Sequence, residues 1–162
     1  MIIIRNANKE DITTIVEFNS AMAMETEHKS LEIDTVYEGV KKLLNNNKLG
    51  FYLIAESDSA PVGQLMITKE WSDWRNGEFW WIQSVYVHAD YRKNNVYRKL
   101  YNEASKLAKE SENACGIRLY VVKDNNIAQK VYSKLGMSES NYLLYEDCWS
   151  KAPDPSGRSA RV

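Results

Sequence analysis

Three observations in the sequence predict an α/β (α+β) domain. Phe79–Val87, FWWIQSVYV, is an almost continuous apolar run, the pattern of a central strand covered on both faces. Apolar residues recur at helical spacing in separate segments on either side of that run. Turn-forming residues punctuate the chain between shorter apolar stretches of strand length. At 162 residues and 44% hydrophobic, the chain suits one compact domain with a substantial core.

Met1–Asn6 reads as an edge-starting strand. Lys9–Ala23 carries Ile12, Ile15, Val16, Asn19 and Met22 at helical spacing, with Asn8 as the expected N-cap. Thr35–Leu44 aligns Val36, Val40, Leu43 and Leu44 on a second helix, which the turn Asn45–Asn47 ends. Phe51–Glu56 and Val62–Thr68 are strands joined as a hairpin by Asp58–Pro61. Glu70–Glu78 reads as a loop rich in Trp and charge, closed by Asn76–Gly77. After the central strand comes a basic turn, then a helix that places Val96, Tyr97, Leu100, Tyr101, Ala104, Leu107 and Ala108 on one face. Ile117–Val122 is a further buried strand. Ile127–Leu135 is a helix with Ile127, Ala128, Val131 and Leu135 inward, and Gly136 stands where a helix C-terminus favours it. Tyr142–Tyr145 supplies a last strand. The domain is expected over residues 1–150, and 151–162, with two prolines and a glycine and no apolar pattern, as a flexible tail.

A formal net charge of −1 argues against a general nucleic-acid or membrane-surface binder, since both need a cationic surplus. Two cysteines, Cys115 and Cys148, and two histidines, His28 and His88, are too few and too scattered for a zinc site. Reduced core cysteines are the expectation. The N-terminal apolar run is too short for a signal peptide or membrane span, so a cytoplasmic protein is expected. Five Trp and ten Tyr against three Phe suggest a lined cleft or an interface, or else a wet-edged core.

The chemistry concentrates in Val87–Leu100, VHADYRKNNVYRKL. A turn into a helix leaves main-chain N–H groups without intrahelical partners, with the positive end of the helix dipole behind them. Such a junction suits a diphosphate, and Arg92, Lys93 and Arg98 add charge there. In these residues the chain resembles the GNAT family of N-acetyltransferases, whose signature runs Val-x-Pro-x-Tyr-Arg-Gly-x-Gly-hydrophobic-Gly. Val87, Tyr91, Arg92, Val96 and Leu100 match. Ala89 replaces the proline, Lys93 and Asn95 replace two glycines, and Tyr97 replaces the last small residue. Asn tolerates the left-handed geometry that glycine serves, and the Tyr97 ring must point into the core. A second match lies in Val121–Met137, where Asn125, Ala128, Tyr132 and Gly136 fit Asn-x-x-Ala-x-x-x-Tyr-x-x-x-Gly-Phe in register, Met137 replacing the aromatic.

The resemblance implies a central, mixed but mostly antiparallel twisted sheet of six to seven strands, with about four helices and splayed central strands. It implies an acyltransferase that uses acetyl-CoA as cosubstrate and no metal. The backbone from Lys93 through Asn94, Asn95 and Val96 to Tyr97, with Arg92, would hold the pyrophosphate. Val85, Tyr86 and Val87 would pair with the pantetheine arm, a backbone N–H near Val85 would polarise the thioester, and Asn125 would contact the arm. Tyr132 would serve as general acid for the departing thiolate. Many relatives carry Glu at the positions of Gln83 or Ser84, which are uncharged here. The base is therefore sought in Glu25, Thr26, Glu27 and His28, with Glu27 the candidate. MAMETEHK and TKEWSDWRNGEFWW resemble the acceptor loops of the diamine and thialysine acetyltransferase branch. There Glu25, Glu27, Glu70 and Asp73 would attract a cationic amine and Trp71 and Trp74 would pack on it; a solvated acidic helix end and a structural Trp pair are the bland alternative. The acceptor is expected to be a primary amine of a small molecule, and a homodimer is an expected assembly. A catalytically degenerate interaction module, or acetylation of a protein N-terminus or lysine, are the alternatives.

Overall fold

The computed structural model describes residues 1–147 and 149. Met1–Leu119 form one compact unit, and the chain from Tyr120 forms a second. The first unit is built on a five-stranded sheet in the order β1 (Ile2–Asn6), β2 (Gly50–Ser57), β3 (Ala60–Ser72), β4 (Gly77–Val87), β5 (Ala114–Arg118). The first three pairings are antiparallel and the last, β4 with β5, is parallel. Helices α1 (Ile12–Glu27) and α2 (Ile33–Leu44) precede β2, and α3 (Val96–Glu110) joins β4 to β5.

Strand periodicity divides the core between the two faces. Tyr52 and Ile54 pack with Ile12, Ile15 and Val16 of α1 and Val40 and Leu43 of α2. The alternating Leu53 and Ala55 join Leu65, Ile67, Trp80 and Ile82 against Val96, Leu100, Ala104 and Ala108 of α3. At the start of β2 a Cβ on Gly50 would lie 2.0 Å from the Ile67 carbonyl oxygen, and φ there is +146°. Only glycine fits that approach.

Several sequence expectations are corrected. The helix expected from Lys9 begins as a 3₁₀ turn, Lys9–Asp11, because Asn8 and Asp11 cap each other's backbone and Arg5 grips the Asp11 carboxylate. Glu70–Glu78 is not a loop. β3 runs to Ser72 and β4 starts at Gly77, with Lys69, Glu70 and Trp71 opposite Trp80, Phe79 and Glu78. Glu78 and Glu70 are held in cross-strand pairs, Lys69–Glu78 at 3.2 Å and Arg118–Glu70 at 3.0 Å, rather than lending loop polarity. β5 occupies Ala114–Arg118 instead of Ile117–Val122, since its ladder opens where the Glu78 N–H reaches Asn113 C=O at 2.7 Å and closes at Trp81 with Arg118. Among the described residues the sheet has five strands, not six or seven. Tyr142–Tyr145 pairs with no described strand and stands open to solvent, and a lone strand without a ladder has nothing to hold it.

In the second unit, α4 (Asn126–Lys134) is capped at both ends, at its C-terminus by Gly136 as the sequence suggests. Asn125 Oδ1 accepts from the Ala128 N–H at 3.0 Å, and Gly136 takes φ +86° with the Met137 N–H returning to Tyr132 C=O at 3.1 Å. Ile127 and Val131, expected inward, are exposed, and no residue of α4 is fully buried. Helical spacing names a stripe but supplies no surface to bury it. Cys148 and the tail 151–162 lie outside the described residues.

Candidate functional site

The end of β4 is fixed by the His88 N–H, which donates to Val62 C=O at 2.9 Å. A single 3₁₀ turn, Ala89–Tyr91, then reverses the chain, and Arg92 leaves it extended. Lys93 at φ +65° and Asn95 at φ +60° are left-handed. These are two of the three positions where the sequence signature has glycine, the third being Tyr97. The geometry costs Lys93 about 1–2 kcal/mol and Asn95 less. Residues stepping into the left-handed region are how main-chain amides converge into anion-binding concavities. Asn95 makes no side-chain capping bond, and the α3 ladder begins with the Lys99 N–H to Asn95 C=O at 3.0 Å. The amides of Val96 and Arg98 therefore precede the ladder, at the positive end of the dipole. Val96, 2% exposed, anchors this junction in the core, so only its backbone can face a ligand. Lys93 and Asn94 are exposed. The Tyr97 ring packs against the core, its centroid 6.4 Å from that of Tyr101.

Behind the loop, Arg92 is held on two sides. Its Nε donates to Val87 C=O at 2.9 Å and its Nη2 to Glu25 Oε2 at 2.5 Å, and its guanidinium lies 5.7 Å from the Tyr86 ring centre. The Tyr86 hydroxyl donates to the other Glu25 oxygen at 3.4 Å. Burial, then the Glu25 charge, push the Tyr86 phenol up, against the pull of Arg92. Glu25, read from sequence as an amine ligand, and Arg92, read as a phosphate ligand, thus meet each other.

The other edge of β4 opens halfway along. Its pairing with β5 ends at Trp81, and from Ile82 to Val87 no described strand lies on that side. The segment includes Val85 and Val87, half-buried, and Tyr86, buried. Across from it, Gln64 pairs with Tyr86 while Met66 pairs with Gln83, so Ser84 and Val85 together oppose Leu65. Ser84 sits at φ +47° in this bulge.

The remaining sequence candidates are dispersed. Glu27 is exposed at the end of α1, 3.5 Å from Lys29 Nζ, and His28 is the left-handed cap that ends the helix. Trp71 and Trp74, 59% and 91% exposed, lie at the β3–β4 turn. Trp71 pairs with Glu78, and the run from there to Val85 spans roughly 20 Å at the usual strand rise. They are not brought to Glu25. Glu70 accepts from the Trp81 indole and from Arg118 at 3.0 Å, so its charge is already answered, and Arg118 lies 3.5 Å over the Phe79 ring. Asp73 accepts from the Trp74 N–H at 2.9 Å. In the second unit Tyr132 is half-buried, and burial pushes its phenol up. Sequence reasoning missed a buried polar group of Asn19, Tyr52 and Gln64. Its one signal was a polar Asn19 inside an otherwise apolar helical stripe.

Residues 15–137 match the model of the acetyltransferase (GNAT) family. The crystal structure of a possible acetyltransferase from Clostridium difficile 630 is 43% identical, with a TM-score of 0.87 over 93% of this chain and 99% of that one. A predicted acetyltransferase with acetyl-CoA from Clostridium acetobutylicum is 21% identical, with a TM-score of 0.75 over 91% and 96% of the two chains. An aminoglycoside N-acetyltransferase, AAC(6')-Iy, in complex with CoA is 14% identical, with a TM-score of 0.76 over 91% and 95%. These last two share the fold. No curated protein matches the sequence significantly. The chain belongs to the GNAT family of acetyltransferases. It is an acyltransferase that uses acetyl-CoA, and no metal-ligand cluster occurs among the described residues. No described helix is long and apolar enough to cross a membrane.

Proposed function

We propose that this enzyme transfers an acetyl group from acetyl-CoA to a primary amine of a small, cationic molecule by direct attack in a ternary complex. Residues 1–150 would act as one cytoplasmic acetyltransferase domain. The observation that carries the reading is the pair of left-handed residues, Lys93 and Asn95, ahead of a helix whose first residue has no side-chain cap. The backbone adopts the glycine geometry of the family signature without the glycines, at a cost, and an anion at those amides is what the cost supports.

Bound acetyl-CoA supplies an activated acetyl group and a thiolate leaving group. The chain's own part is to hold it and to move protons. The amides from Lys93 to Tyr97 take the diphosphate, the open edge of Val85, Tyr86 and Val87 takes the arm, and Asn125 Nδ2 adds a donor while its oxygen caps α4. The acceptor amine first gives up its ammonium proton to solvent, and its neutral nitrogen then bonds to the acetyl carbon as the carbon–sulfur bond breaks. Its proton passes to Glu27, directly or through water, and Tyr132 protonates the sulfur. Glu25 beside Tyr86 gives the cationic acceptor its counter-charge. Trp71 and Trp74, at the far turn, stand outside this arrangement.

Calorimetry with acetyl-CoA, followed by thiol release across a panel of primary amines, tests the reading; release with none of them would refute it. Arg92→Ala is expected to weaken acetyl-CoA binding about tenfold, the lower range for an exposed charge-assisted bond. Glu25→Gln removes the carboxylate that competes for the guanidinium and should tighten it. Equal affinity in all three proteins would mean that Arg92 stays with Glu25 and never meets phosphate.

A further inference from the structure

Behind the β4 bulge lies a chain of buried polar side chains. Asn19 of α1 and Gln64 of β3 are 7% and 0% exposed. Gln64 Nε2 donates to Asn19 Oδ1 at 2.7 Å and to Ser84 C=O at 3.2 Å. Asn19 Nδ2 donates onward to the Tyr52 hydroxyl at 3.4 Å. Both hydrogens of the Gln64 amide are thereby committed, while its oxygen has no partner among the described residues.

The Ser84 carbonyl and the Val85 N–H belong to one peptide unit, planar and trans. They point in opposite directions. Gln64 of β3 holds the carbonyl, so the Val85 N–H faces away from the Gln64 amide, and on its other edge β4 has no described strand neighbour beyond Trp81. The bulge and the left-handed Ser84 are what free this one peptide from the β3 ladder.

We propose that Asn19 and Gln64 are positioning residues that lock the Ser84–Val85 peptide plane, so that the Val85 N–H is aimed at the acetyl carbonyl oxygen. The inference rests on the acetyl-transfer reading above. An amide aimed in advance at the oxygen where charge develops needs no reorganisation during the reaction. Neither side chain touches substrate.

The test is the double variant Asn19→Leu/Gln64→Met, which replaces both partners with apolar groups of similar size and should keep the fold. It should bind acetyl-CoA within a few-fold of the parent, yet its kcat should fall about 100-fold, as when an oxyanion donor is lost or displaced. In ¹⁵N-labelled protein the Val85 amide cross-peak should move on adding acetyl-CoA in the parent and lose most of that movement in the variant. Parental kcat in a folded double variant would overturn the proposal. So would a parental Val85 peak that stays put when acetyl-CoA binds, a result needing no variant if the double substitution fails to fold. A parent that does not bind acetyl-CoA at all would sink the function proposed above, and this inference with it.

Discussion

Tyr132→Phe is expected to lower kcat about 100-fold, the low end of what general acid catalysis contributes, while the affinity for acetyl-CoA stays near that of the parent. The expectation follows from the register that puts Tyr132 seven residues after Asn125 on α4, and from its surroundings. Burial raises the Tyr132 phenol above the ordinary tyrosine value of 10.0, so it keeps its proton throughout the neutral range. A departing thiolate can draw on that proton, and the acid is regenerated from solvent afterwards. The sign of the pH effect is fixed by the same shift. Loss of the proton costs activity only above the raised value, so the alkaline limb of kcat should lie above pH 10 and vanish in Tyr132→Phe. Thiol release measured against pH in both proteins checks this; unchanged kcat would remove Tyr132 from the chemistry.

Local signals in the sequence carried the fold a long way, and their failures have physical causes. The central run Phe79–Val87, the α1 and α3 stripes and the cap residues Asn8 and Gly136 all act through neighbours within one or two turns, and all are where composition and spacing put them. Glu70 and Glu78 misled because charge was read as loop, whereas Glu78 meets Lys69 across the β3–β4 hairpin and Glu70 meets Arg118 of β5. At the site, Asn95 was legible because asparagine tolerates left-handed backbone; Lys93 at φ +65° carries no such mark. The meeting of Glu25 with Arg92, and of Asn19 with Gln64, joins residues far apart in the chain, and only the packing of α1 on the sheet makes them neighbours.

One ion pair near the N-terminus governs stability rather than chemistry, and Asp11→Ala is expected to destabilise the fold by about 3 kcal/mol. Asp11 is 4% exposed and accepts from both ends of the Arg5 fork at 2.8 Å and from the Asn8 N–H at 2.8 Å. Removing one partner of a buried pair costs about 3–5 kcal/mol, and the lower figure applies because Arg5 is partly open to solvent and keeps Glu56 at 2.7 Å. Burial alone would raise the Asp11 pKa, but the bonds from Arg5 and the Asn8 amide outweigh it and hold the carboxyl below its ordinary value of 3.8. A carboxylate whose folded pKa is depressed stabilises above the unfolded value and loses that contribution as pH falls through the folded one. The parent and Asp11→Ala should therefore differ most at neutral pH, and the gap should narrow below about pH 4. Denaturant titrations of both proteins at pH 7 and pH 3 read the difference directly. A gap of the same size at both values would mean that Asp11 holds the β1–α1 corner by shape and hydrogen bonding alone, with its charge contributing nothing.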